Sequence, residues 1–175
     1  MLIAGAGAVL THDDIKALLK QTPPLLEGLF NAEQQLQQNG IDLTLRSIAR
    51  PASAGRMGAA ADDREISRAD LLAFDGQGYV ELTPGPYVIT INEIVHLPRN
   101  IMALGRPRSS LLRCGITVST AVWDAGYEGR SQALLVVHNL HGFRLQQNAR
   151  VLQLVFFRLT SDTEAYHGKY QRENI

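Results

Sequence analysis

The stretch Tyr79–Pro98, "YVELTPGPYVITINEIVHLP", decides the fold class. "YVEL" and "YVITINEIVHLP" are rich in β-branched and aromatic residues and are separated at Pro84–Gly85, which predicts strand, turn, strand. The same texture returns in "QALLVVHN" (Gln132–Asn139) and "VLQLVFFRLT" (Val151–Thr160). Upstream, "IDLTLRSI" (Ile41–Ile48) alternates apolar and polar residues, as a half-buried strand does. Short strands at regular spacing with little helix predict a mainly β barrel or sandwich.

Two helical segments interrupt this pattern. In "THDDIKALLK" (Thr11–Lys20), Thr11 caps, Asp13 and Asp14 suit the positive end, and Ile15, Leu18 and Leu19 share a face. Pro23 and Pro24 limit that segment. A shorter helix is expected within Pro107–Gly115, "PRSSLLRCG", with Ser109 or Ser110 as cap, Leu111 and Leu112 inward and Gly115 at its end. Between the first strand and Tyr79, residues 51–72 are poor in large apolar side chains up to Ala61 and predict a mobile loop or a long surface hairpin. No fixed-period repeat and no linker divides the chain. One domain over 1–175 is expected, with an N-terminal helical segment at 1–38 and a tail at 160–175.

At 175 residues the chain can bury a core, and 45% hydrophobic against 19% charged residues is the balance of a soluble globular protein. Seventeen Lys and Arg offset seventeen Asp and Glu, which gives no electrostatic case for a nucleic-acid polymer or an anionic membrane. A small anionic ligand needs only a local cation cluster. Cys114 is the one cysteine, so no internal disulfide forms. "MLIAGAGAVL" is too short to span a bilayer and no basic residue precedes it; a cytoplasmic protein is expected.

Candidate chemistry concentrates in two places. "GRPRSSLLR" (Gly105–Arg113) offers three arginines, two serines and a helix start. That suits a phosphate cradle, and it equally suits a capped surface turn. In "AVWDAGYEG" (Ala121–Gly129), Asp124 is either a turn residue or a carboxylate that orients and deprotonates water. Tyr127 is either core or a platform for a sugar ring. His12, His96, His138, His141 and His167 are scattered without metal-ligand spacing and are taken as structural or surface residues. Cys114 has no histidine partner in view and is expected to be buried. "GAGAVL" (Gly5–Leu10) lacks the third small residue and the preceding strand of a dinucleotide loop.

Taken together, these segments resemble the superfamily of trimeric dUTP diphosphatases and dCTP deaminases. "GRPRSSLLRCG" resembles its phosphate motif, and "AVWDAGYEG" the nucleoside hairpin. "NARVLQLVF" (Asn148–Phe156) resembles the later motif with a phosphate-contacting Gln, here Gln153. "NGIDLTL" (Asn39–Leu45) is similar to the early motif, and "YHGKYQREN" (Tyr166–Asn174) to the tail of the deaminase branch. The likeness is nearest to the archaeal-type dUTP diphosphatases grouped with the deaminases.

The resemblance implies a distorted jelly-roll-like β-barrel, a homotrimer with interface active sites, and Mg²⁺ bound through the triphosphate with no direct protein ligand. Arg108, Ser109, Ser110 and Gln153 are then expected to hold phosphates. Asp124 acts on water with Ser110 and Arg113 at the reacting centre, and Tyr127 stacks on deoxyribose. Thr120 and Tyr166 join the binding set, while Lys169, Tyr170 and Gln171 close over the phosphates.

Two departures decide between branches. The glycine-rich, aromatic-bearing arm of the usual dUTP diphosphatases is missing. The proton-shuttling Glu of the deaminases, ten residues beyond the Asp, is replaced by Leu134, or by Val136 if "RSQ" holds a two-residue insertion; the nearest polar residue, Gln132, has no useful pKa. Hydrolysis of dUTP to dUMP and pyrophosphate is therefore expected. The alternatives are dCTP deamination, alone or coupled to that hydrolysis, a silent nucleotide-binding module, and a jelly-roll binding protein for another ligand.

Overall fold

Thr11 caps the first helix in both directions: its hydroxyl accepts from the Asp14 N–H at 3.3 Å, and the Asp14 carboxylate accepts from the Thr11 N–H at 2.9 Å. The helix, α1 (His12–Leu18), buries Ile15, and Leu18 and Leu19 pack on the core beside it. The structure is a computed structural model and describes residues 9–60 and 62–175. The Gly5–Ala8 part of "GAGAVL" lies outside the described residues.

Chain order continues with β1 (Leu26–Glu27), α2 (Ala32–Gln35), β2 (Leu36–Gln37), β3 (Gly40–Pro51), β4 (Arg56–Met57), β5 (Arg64–Glu65), β6 (Ala69–Leu71) and β7 (Tyr79–Leu82). Next are β8 (Gly85–Ile91), β9 (Ile94–His96), β10 (Ile101–Pro107), α3 (Ser109–Arg113), β11 (Ile116–Ser119) and β12 (Val122–Trp123). β13 (Glu128–Gly129), β14 (Gln132–Val137), β15 (Phe143–Gln146) and β16 (Arg150–Arg158) complete the fold.

The main sheet has nine strands. Seven run in the order β11–β14–β8–β3–β16–β10–β12, and β2 and β6 add to the two ends of β3. All these pairs are antiparallel. Period-two alternation turns Tyr87, Ile89 and Ile91 of β8 and Leu152, Leu154 and Phe156 of β16 into the core, each fully buried. Burial of that kind contributes about 2 kcal/mol per large apolar side chain. The sheet curls into a half-barrel, the mainly β architecture the strand pattern predicts.

Three expectations change, and the third finding, a strand pairing, goes beyond them. β3 is buried on both faces over Gly40–Leu45, including Asp42 and Thr44, each 1% exposed. Its polar residues are there because partners satisfy them. Glu93, 0% exposed, accepts from Thr44 N–H at 2.9 Å, Thr44 Oγ1 at 2.6 Å and Gln35 Nε2 at 2.7 Å. Second, "YVITINEIVHLP" is two strands. Asn92 turns its amide into Thr44 Oγ1, Leu45 O and Asn148 Oδ1, Glu93 turns inward, and the chain changes sheets into β1–β9–β13. Third, β7 pairs with β15 and not with its sequence neighbour β8, which lies between β3 and β14.

The fourth concerns α3. Its N-cap is Arg108, without a side-chain capping bond, so Ser109 and Ser110 sit inside the first turn. Leu111 packs inward, but Leu112 is 63% exposed and Cys114 is exposed rather than buried, because a five-residue helix has only one inward position. Gly115, at φ +76°, ends the turn as expected. The 51–72 excursion is a surface hairpin: β4 pairs with β5, and β6 returns to the end of β3. No helix among the described residues is long and apolar enough to cross a membrane.

Candidate active site

Three central strands place one cluster. In the β3–β16–β10 ladder, Gln153 lies opposite Asp42 on one side and Arg106 on the other, so these three residues form a row across the sheet. Arg108, two residues beyond Arg106, reaches back with Nε 3.1 Å from Asp42 Oδ2, and Arg150 Nη1 approaches the same oxygen at 3.4 Å. Burial pushes the Asp42 carboxyl up, and Arg108 and then Arg150 pull it back down. Asp42 thus anchors two guanidinium groups beside the Gln153 amide, a local cation cluster in a chain of zero net charge. Ser109, Ser110 and Arg113 stand exposed on α3 directly after Arg108. Thr120 packs over Gly105, where an added Cβ would come within 2.8 Å of its methyl, and so joins β10 to the start of the next hairpin.

That hairpin forms the second cluster. Asp124–Ala125–Gly126–Tyr127 closes when Tyr127 N–H donates to Asp124 O at 3.1 Å, with Gly126 at φ +81° in the third position. The turn uses only the Asp124 backbone. Among the described residues its carboxylate is exposed and has no hydrogen-bond or ion-pair partner. Trp123 and Tyr127, by contrast, are buried at 4% and 6% exposure. Trp123 Nε1 donates to Ser131 Oγ at 2.6 Å, and the Tyr127 hydroxyl lies 2.9 Å from both Ser131 Oγ and Glu173 Oε1. Burial pushes the Tyr127 phenol far up, so it stays protonated and serves as a donor.

The C-terminal tail lies on this hairpin. Tyr166 N–H donates to Ala125 O at 2.9 Å, and its ring meets Tyr127 edge-on at 5.9 Å between centroids. The Gln171 side chain accepts from Glu128 N–H and donates to Gly126 O, both at 3.0 Å, so in this arrangement its amide serves the hairpin backbone. Lys169 and Tyr170 are exposed. A cleft of about 240 Å³ remains, bordered by Asp124, Tyr127, Gln132, Tyr166, Tyr170 and Glu173. A larger, mainly apolar hollow of about 440 Å³ lies by Met57 and Ile66 of the surface hairpin, and no residue of the expected site borders it.

The structure therefore brings the expected residues into two groups. Arg108 and Gln153 meet around Asp42; Asp124, Tyr127, Tyr166 and Tyr170 meet around the cleft. No hydrogen bond or ion pair among the described residues joins the groups. The Tyr127 ring, expected to face a sugar, is covered in this arrangement by Tyr166 and Glu173. Asp42, Arg150, Ser131 and Glu173 were not singled out from sequence, although Asp42, Arg150 and Glu173 lie within "NGIDLTL", "NARVLQLVF" and "YHGKYQREN"; Ser131 had no signal.

The missing acid has a structural counterpart. Leu134 and Val136 lie on the outer side of β14, where Ala133, Leu135 and Val137 face inward. The cross-strand neighbours of Leu134 are Ser119 and Val88, and those of Val136 are Thr117 and Pro86. None is an acid, so no neighbouring strand position substitutes for the Glu. His138, on the same edge, has a ring nitrogen 3.0 Å from Thr117 Oγ1.

Comparison with known proteins identifies the relatives of this chain. The family model described as dCTP deaminase-like matches residues 9–159. A protein of Archaeoglobus fulgidus named "Probable deoxyuridine 5'-triphosphate nucleotidohydrolase" is 47% identical over 168 residues, covering 96% of this chain and 98% of that one. A protein of the same name from Methanosarcina mazei is 45% identical, covering 95% and 98%. Among solved structures, the 2'-deoxycytidine 5'-triphosphate deaminase of Agrobacterium tumefaciens superposes with a TM-score of 0.66 at 21% identity, over 87% of this chain and 49% of that chain, a likeness of fold. The family match over residues 9–159 and these relatives, covered almost end to end, lead to one conclusion: the chain belongs to the dCTP deaminase-like family.

Proposed function

We propose that the chain hydrolyses dUTP to dUMP and pyrophosphate by attack of water on the α-phosphorus. One observation carries this within the family: among the described residues Asp124 is an exposed carboxylate without partners, and the strand beyond it and its cross-strand neighbours offer no second acid. Phosphate hydrolysis needs one proton acceptor and charge stabilisation, whereas deamination needs a group that also delivers a proton to the leaving amine. The relatives' names point the same way.

In this reading the Asp124 carboxylate takes a proton from water and aims it at the α-phosphorus. Arg108 and Gln153 hold phosphate oxygens, with Arg108 pre-positioned by Asp42. Ser109, Ser110 and Arg113 add donors from α3. Lys169, Tyr170 and Gln171 close over the phosphates once the tail has left its docked arrangement. Among the described residues no three His, Cys, Asp or Glu side chains cluster as a metal cage, and Asp42 is already occupied by two arginines. These donors fit Mg²⁺ carried on the substrate's own triphosphate oxygens, where it supplies neutralisation of phosphate charge. The separation of the two residue groups within one chain supports a site completed between copies in a homotrimer. Leu104 and Val122, cross-strand partners that are 38% and 50% exposed, are apolar surface for such contacts. A single cysteine outside any internal disulfide suits a cytoplasmic setting.

Turnover in ¹⁸O-labelled water with Mg²⁺ tests the mechanism. The label is expected in dUMP. Label in pyrophosphate would place the attack on the β-phosphorus and remove the assigned geometry.

A further inference from the structure

We propose that Glu173 is an internal competitor for the nucleoside half of the site: its carboxylate takes the acceptor place at the Tyr127 hydroxyl and latches the tail over the hairpin until nucleotide enters. The inference rests on the reading above, in which the nucleoside lies against that hairpin.

The donors run in one direction. Trp123 Nε1–H donates to Ser131 Oγ at 2.6 Å, Ser131 Oγ–H can then pass its proton's hydrogen bond to the Tyr127 oxygen at 2.9 Å, and the Tyr127 O–H ends on Glu173 Oε1 at 2.9 Å. The chain of hydroxyls is buried and terminates at one outward-facing donor, and in this structure a residue of the tail satisfies it. When the tail leaves, that donor meets whatever acceptor fills the cleft, and a sugar hydroxyl oxygen has the required chemistry.

The contact is built to be released. Among the described residues Glu173 has no ion-pair partner: Arg172 turns to Glu128 at 3.7 Å, and the Arg130 guanidinium donates to Asn92 O and Asn174 O. The Glu173 backbone bridges to Gly129 and accepts from Arg130 N–H at 2.9 Å, while its carboxylate is held by the Tyr127 hydroxyl. Arg172 and Asn174, on either side of Glu173, both have left-handed backbones, at φ +61° and +55°. Asn adopts that conformation readily, but it is unfavourable for Arg172, which the contacts of the docked tail hold against its own backbone preference. The carboxylate of Glu173 also shares the cleft with that of Asp124. An incoming triphosphate adds further negative charge there, which favours departure of Glu173.

Trp123 is the only tryptophan and starts the donor chain, so its fluorescence reports the latch without turnover. Acrylamide quenching of the nucleotide-free protein is expected to rise in Glu173→Ala. Glu173→Gln keeps an acceptor oxygen for Tyr127 and is expected to quench nearly as wild type does. Because the competing state is removed, dUMP should bind Glu173→Ala about 3- to 10-fold more tightly than wild type. A thermal melt of each variant excludes general unfolding as the source of the quenching. Unchanged quenching and unchanged or weaker dUMP binding in a folded Glu173→Ala overturns the latch while leaving dUTP hydrolysis standing. If wild type neither binds dUMP nor hydrolyses dUTP, the functional reading falls and the competition falls with it.

Discussion

Asp124→Asn is expected to lower kcat for dUTP by about 10³-fold, within the range for loss of a general base, and to change KM only a few-fold. The structure makes this a clean substitution. The turn that carries Asp124 is closed by its carbonyl oxygen and by Gly126, not by its carboxylate. The side chain is exposed and has no partner among the described residues, so Asn leaves no buried group unsatisfied. A thermal melt should coincide with wild type. If the variant releases pyrophosphate at the wild-type rate, Asp124 is a turn residue and the catalytic assignment is wrong.

Arg108→Ala is expected to lower kcat/KM by about 10²-fold, the loss of charge-assisted phosphate contacts. Arg108→Lys should fall between the two, because an ammonium keeps the charge and loses the fork. This substitution also has a stability cost, since Asp42 is 1% exposed and would keep only Arg150 as counter-charge. About 2 kcal/mol is expected, below the range for a fully buried pair because Arg150 remains and the Arg108 side chain is 29% exposed. The two effects separate in a double variant. Adding Asp42→Asn to Arg108→Ala removes the buried charge that Arg150 alone only partly offsets and should return part of the lost melting temperature, with no return of activity. Recovery of both together would mean that Arg108 supports the fold and does not touch phosphate.

What was legible in the sequence was local. Alternation within Ile41–Ile48 and the β-rich runs at Gln132–Asn139 and Val151–Thr160 located strands because both signals act within a few residues. The Thr11 cap and the Gly115 stop were readable because each acts within four residues of itself. Local chemistry left Asp124 and Arg108 open between turn and site, and the order and spacing of the family-like motifs assigned their roles.

What was not legible depended on distant partners. "INEIV" has the composition of a strand, and nothing nearby says that Glu93 will be buried against Thr44, 49 residues away. The half-buried reading of "IDLTL" failed for the same reason. Its polar face is covered by Gln35, Glu93, Arg108 and Arg150, which come from four other parts of the chain. Ser131 has no motif, and the place of Glu173 within "YHGKYQREN" does not show that it will meet the Tyr127 hydroxyl. The pairing of β7 with β15 rather than with β8 is a topological choice made across some sixty residues, beyond the reach of a turn signal at Pro84–Gly85.

The central claim is that Asp124, with no second acid at Leu134, Val136 or their cross-strand neighbours, serves phosphate hydrolysis and leaves the base alone. Side-by-side incubation of the protein with dUTP and with dCTP, each with Mg²⁺, tests it when monophosphate, pyrophosphate and ammonia are measured separately. Pyrophosphate and dUMP in equal amounts from dUTP, with no ammonia from either nucleotide, is the predicted result. Ammonia released from dCTP would contradict it, since a proton shuttle would then have to exist where Leu134, Val136 and their cross-strand neighbours provide none.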